Sequence, residues 1–242
     1  MNAHTAAGIA QVVFYAPITV YAQYVGFRCW KYRSRMACYM IMAFTLIRLV
    51  GGALVIAVEQ DLSTSNANLI RVTYILLNIG LVPLLASYDG LLSVVSRENF
   101  PKNNYLRGIH AICALLTVLA TGLLIGAGTL TGKADQASLQ STLYKIGYFD
   151  FVAIFVVAIV LNAAYYTVQR DSINQSHIKI LGCLLAASPF LALRTVYGII
   201  GIFKATGPDM FTSMWSSLFG SATALALMGL LPEIANAGPS TE

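Results

Sequence analysis

Long apolar runs separated by short polar connections make up nearly the whole chain. Windows of about 19 residues place apolar spans at 8–28, 37–58, 69–95, 107–131, 144–168, 178–203 and 211–232. Each run reaches the roughly 20 residues a helix needs to cross a hydrocarbon core. The pattern predicts an all-α integral membrane protein, a bundle of seven transmembrane helices that forms a single domain over residues 1–242. Pro17, Pro83 and Pro189 fall inside spans. Each removes a backbone hydrogen bond that neighbours must replace, so kinks are expected there. Gly51, Gly52, Gly198 and Gly201 are expected to let helices approach closely.

The connections differ in charge, and the difference predicts an orientation. Arg28, Lys31, Arg33 and Arg35 flank the first connection; Arg97, Lys102 and Arg107 the third; Arg170 and Lys179 the fifth. The even-numbered connections carry Asp61, Asp135 and Asp209 beside Lys133 and Lys204. Basic connections stay on the cytoplasmic side, so the N-terminus is expected to be lumenal and the C-terminus cytoplasmic. The first residues lack the positive start and small-residue cleavage site of a secretory signal and are expected to remain as the first span. On this orientation Cys29, Cys38, Cys113 and Cys183 lie in the cytoplasmic half, where free thiols are expected. The sequon Asn174-Gln175-Ser176 would face the cytoplasm and carry no glycan.

Composition excludes several classes. With 57% hydrophobic and 10% charged residues, the chain is far more apolar than a soluble domain, in which about a quarter of residues are charged. The net charge of +5 sits at helix ends and forms no nucleic-acid module. His4, His110 and His177 are scattered, and no Cys or His pair has metal-ligand spacing. No glycine-rich phosphate loop opens a helix. Neither metal nor cofactor is therefore expected. The last span has no lysine that could carry retinal.

What remains is a set of polar side chains inside apolar runs. An arginine at membrane depth costs roughly 2.5 to 3.5 kcal/mol even on insertion scales and needs a partner or a task. Arg48 and Arg194 lie inside the second and sixth spans, and each opens a short Arg-x-Val-x-Gly or Arg-x-x-x-Gly string. At about 1.5 Å per residue, Glu59, Tyr74, Asn78, Tyr148, Asp150, Arg194, Tyr197 and Trp215 are expected in the lumenal half, with Arg48 near the middle. A thinner set, Tyr88, Asp89, His110, Asn162, Tyr165 and Tyr166, lies toward the cytoplasm. Asp89 stands about two turns inside the membrane from Arg97, beyond the reach of so short a side chain. A structural ion pair of Arg194 with Asp150 or Glu59 would account for those charges, as would a functional site.

The strings LIRLVGGALVIAVE, ILLNIGLVPLLASYDGLLS and PFLALRTVYGIIGIF resemble the small seven-span fungal membrane proteins that include the terpene cyclase of ascofuranone biosynthesis and the epoxide hydrolases of aurovertin- and citreoviridin-type polyketide pathways. The resemblance covers most of the chain. It implies an enzyme of fungal secondary metabolism in the endoplasmic reticulum membrane, opening an epoxide on a lipophilic polyketide or meroterpenoid. The landmarks that match are Arg48, Glu59, Asp89, Arg194 and Tyr197.

Epoxide opening needs an acid for the departing oxygen and a base for the attacking hydroxyl. Asp150 or Glu59 would be acid or base, and Arg194 and Arg48 would hold the carboxylates. Tyr197 and Asn78 would donate to oxygen, while Tyr74, Tyr148 and Trp215 would line the substrate pocket. Attack by water would give a hydrolase and attack by a substrate hydroxyl a cyclase. The expected partners are a lipophilic epoxide and membrane lipid; a homo-oligomer stays open. The alternative from another class is a small-molecule transporter or lipid-binding receptor, which would need a polar route through both halves.

Overall fold

The computed structural model describes residues 3–29, 35–60, 67–130, 134–167 and 173–204. Seven α-helices follow in order: α1 (Ala3–Cys29), α2 (Arg35–Gln60), α3 (Ala67–Ile79), α4 (Leu81–Asn99), α5 (Asn104–Thr129), α6 (Ala137–Thr167) and α7 (Gln175–Lys204). A 3₁₀ turn at Ala134–Gln136 precedes α6, and no strand occurs among the described residues. The helices α3 and α4 together make one span, so six segments are long and apolar enough to cross a membrane. They coincide with the first six runs expected from the sequence. The run at 211–232 lies outside the described residues.

Successive spans are antiparallel. Gly8 near the start of α1 approaches Gly52 near the end of α2 so closely that a Cβ added at either would lie 3.2 Å from the other's carbonyl oxygen. Any larger residue at either place would push the two backbones apart, which is how small residues bring membrane helices together. In the same half of the bundle, Gly147 of α6 faces the Ala120 carbonyl and Leu124 of α5, and Gly198 of α7 faces Tyr148 of α6. Gln11 Nε2 donates to the Arg48 carbonyl at 2.7 Å and adds a polar tie between α1 and α2.

The hub is the α3–α4 span, which packs against α2, α5, α6 and α7. Its apolar window is 44% buried, more than that of any other span. Helix α1 packs on α2 and leaves Val13, Val20 and Phe27 exposed. Of the three prolines, Pro17 and Pro189 are accommodated within continuous helices. Only Pro83 accompanies a break: it stands three residues after Gly80, where α3 ends and α4 begins. Proline lacks the N–H that would bond four residues back, to Ile79, so the helix is interrupted one turn upstream.

The turn between α4 and α5 is tied down from several sides. Asn103 caps α5 by accepting from the backbone N–H groups of Tyr105 and Leu106 at 3.1 and 3.3 Å. Asn99 Nδ2 donates to the Val95 carbonyl and meets His177 Nδ1 at 2.9 Å, while its oxygen accepts from Asn174 N–H. His177 Nε2 reaches Glu98 at 3.0 Å. Phe100 stacks on Tyr165 of α6. These contacts hold the start of α7 to the end of α4 and fix the register of α4 against α5.

Gly198→Ala is expected to destabilise the bundle by about 1–3 kcal/mol, because the new methyl would overlap the buried Tyr148 ring. Gly108→Ala meets nothing within 4 Å and should be neutral or slightly stabilising. Thermal unfolding of the two variants in one detergent checks the contrast.

Candidate functional site

The break at Gly80 organises the first cluster of buried polar groups. Gly80 keeps helical torsions (φ −55°, ψ −21°), so the carbonyl that loses its usual donor is that of Ile79, opposite Pro83. Leu77 belongs to the last turn of α3, and its carbonyl accepts from Arg194 Nη2 at 3.3 Å. The Arg48 guanidinium lies against Gly80, where a Cβ would come within 2.5 Å of its Cζ and Nη2. Both arginines are 3% exposed. Among the described residues these contacts bring both charges to the junction of α3 and α4. Aromatic faces supply the rest: Arg48 sits 5.8 Å from the Phe44 ring centroid and Arg194 5.7 Å from that of Tyr197.

Most of the predicted lumenal set gathers around this point. Tyr74 meets Tyr144 edge to face at 6.0 Å, and Tyr148 packs under Gly198, beside Tyr197. The Tyr197 hydroxyl is buried without a hydrogen-bond partner among the described residues. Asn78 Nδ2 donates at 2.8 Å to the Tyr74 carbonyl of its own helix. Asp150 is half-buried on α6 and forms no ion pair with either arginine among the described residues. Glu59 belongs to the last turn of α2, with its side chain outside the described residues, and Trp215 lies outside them altogether.

The second cluster is where a buried acid and base meet. Asp89 of α4 and His110 of α5 pair at 2.7 Å through Oδ1 and Nδ1, with side chains 12% and 3% exposed. The sequence singled out Asp89 but left His110 out of the site. The signal was there: both lie within about 15 Å of the same short turn, on adjacent antiparallel helices. An ionised carboxylate oxygen can only accept, so Nδ1 donates in this bond, and in the neutral imidazole Nε2 is then the acceptor. That Nε2 is buried and has no hydrogen-bond partner among the described residues. Behind the pair, the Tyr88 hydroxyl and Asn162 amide meet at 2.7 Å. With the Asn162 oxygen turned to that hydroxyl, its nitrogen donates to the Leu181 carbonyl at 3.3 Å and its oxygen accepts from Leu185 N–H. The wall behind the dyad is thereby locked to α6 and α7.

Asp89 and His110 line a cavity of about 290 Å³ between α2, α4 and α5. Its walls are mostly small and apolar, among them Ala86, Gly90, Ala111 and Ala114, with Ser93, Arg97 and Thr117 as further polar groups. An apolar recess with a few convergent polar groups is the usual form of a small-molecule site. No group of three or more His, Cys, Asp or Glu that could hold a metal occurs among the described residues.

A family model described as Domain of unknown function (DUF7702) matches residues 1–237. The chain belongs to that family. No curated protein and no solved structure matches it. For this DUF7702 chain the chemistry must therefore be argued from the residues in place.

His110→Leu leaves the Asp89 carboxylate buried without its partner and is expected to cost about 3 kcal/mol. The double variant Asp89→Leu/His110→Leu should recover most of that loss. A double-mutant cycle by chemical denaturation measures the coupling.

Proposed function

We propose that the chain is a membrane-bound epoxide-opening enzyme that uses Asp89 and His110 as its acid–base dyad. The observation that carries this reading is the buried Asp89–His110 pair on the wall of an otherwise apolar cavity. Asp89 holds the imidazole so that Nε2 takes the proton of a water or of a substrate hydroxyl. The oxygen so released attacks one epoxide carbon, the carbon–oxygen bond breaks, and the imidazolium returns its proton to the alkoxide. The net reaction adds water across the ring or closes a cyclic ether, without metal or cofactor. General acid–base catalysis of this kind contributes roughly 10² to 10⁴ in rate.

The family resemblance drawn from the three sequence strings supports a lipophilic polyketide or meroterpenoid substrate of fungal secondary metabolism. It also supports residence in the endoplasmic reticulum. We extend the six apolar helices to seven spans by adding residues 211–232, with the N-terminus lumenal and the C-terminus cytoplasmic. In this reading Arg48 and Arg194 hold the broken span together, and Tyr74, Asn78, Tyr148 and Tyr197 shape the core beside it. The catalytic acid–base pair lies on the cytoplasmic side.

The transporter reading draws on polar clusters in both halves of the bundle. Against it, Leu81 and Leu85, 0% and 1% exposed, fill the α4 turns between Gly80 and Asp89. That packed layer favours a pocket closed at one end.

In yeast microsomes at matched protein levels, the wild-type chain is expected to convert a farnesylated-phenol or polyene epoxide to a diol or cyclic ether. Asp89→Asn and His110→Gln should each lower turnover by about 100-fold or more. Loss in Asp150→Asn or Glu59→Gln alone, with the dyad variants intact, would move the acid to the other half of the bundle.

A further inference from the structure

The cavity is not a symmetrical recess around its dyad. Along α4, Asp89, Ser93 and Arg97 recur every four residues and stand on one face of the helix, and all three line the cavity. Arg97 is exposed at the last turn of α4, eight residues and about 12 Å along the axis from Asp89. In the other direction, Ala114, Thr117 and Val118 of α5 carry the lining past His110 along the outer side of the bundle, where Ala114 and Val118 are exposed. The cavity is a groove with a cation near the α4–α5 turn, an acid–base pair partway along and an apolar stretch beyond that opens on the outer side of α5.

The cation near the turn is available. The neighbouring acid, Glu98, is engaged by His177 at 3.0 Å, and Arg97 makes no ion pair among the described residues. Arg107 and Lys102 add positive charge on the same turn, with Arg107 donating to the Pro101 carbonyl. Alanine and glycine supply much of the lining, Ala86 and Gly90 from α4 and Ala111 and Ala114 from α5, and leave an apolar path along which an alkyl chain can lie.

We infer that the ligand of this cavity is a single-chain amphiphile with a carboxylate head, seated with the head on Arg97 and its reacting carbons beside His110. The inference rests on the acid–base reading of the same cavity and adds the substrate class. A guanidinium is suited to a carboxylate because it can offer two parallel N–H donors. Head and reacting carbons are then separated by roughly the 12 Å between Arg97 and Asp89, which places the epoxide in mid-chain.

The test uses the purified full-length chain in phosphatidylcholine nanodiscs, with anthroyloxy-labelled stearic acid as the fluorescent probe and mid-chain epoxystearic acid or its methyl ester as competitor. The acid should displace the probe roughly tenfold better than the ester. Arg97→Gln should collapse that ratio toward one, and Arg97→Lys should restore most of it; the exposed position keeps folding out of the comparison. Equal displacement by acid and ester, an unchanged ratio in Arg97→Gln, or displacement by phosphatidylserine as effective as by stearic acid would overturn the inference. Turnover in the same nanodiscs separates the two levels. Arg97-dependent binding of an epoxide that is never opened would support the head-group assignment and sink the enzyme reading. Opening without acid preference would support the enzyme reading and sink the head-group assignment.

Discussion

In a hydrocarbon surrounding, every backbone polar group must find its partner within the protein. Pro83 breaks that rule locally, because it cannot donate to Ile79, and the span that contains it divides into α3 and α4 at Gly80. Much of the buried polar structure follows from this break. The two buried arginines come to this junction from α2 and α7: Arg194 onto the Leu77 carbonyl, Arg48 onto Gly80. Gly80 is needed there because a side chain would occupy the place of the guanidinium. The junction of α3 and α4 thus gathers α2 and α7 onto the central span.

The same division lets the two halves of the span do different work. The α3 end is filled with arginine and tyrosine packed against the core. Below it Leu81 and Leu85 seal the centre, and α4 then carries Asp89 into register with His110. The tied turn between α4 and α5 matters here, since a slip of one residue would turn one member of the dyad through about 100° and out of reach. Rigid support from Asn103, Asn99 and the Phe100–Tyr165 stack is what a site held by two helices requires.

The spans were legible because a run of about 20 apolar residues has few other uses, and the six described ones coincide with expectation. The convergence of Arg194, Tyr197, Tyr148, Tyr74 and Asn78 was legible too, from depth alone. The partners were harder to find. A search among side chains looks for carboxylates opposite arginines, and the Leu77 carbonyl that accepts from Arg194 is a main-chain partner that no residue pattern announces. Asp89 announced itself as a buried acid, yet His110 looked like one of three scattered histidines until antiparallel pairing of α4 and α5 brought it within 2.7 Å.

The central claim is that Asp89 holds His110 on the cavity wall as the tautomer with its proton on Nδ1. The ¹⁵N spectrum of histidine-labelled protein in bilayers tests it most directly, with His110→Gln used to assign the signal. The account predicts a proton on Nδ1, a bare Nε2, and a shift of both resonances in Asp89→Asn. A proton on Nε2, or a spectrum indifferent to Asp89, would contradict it.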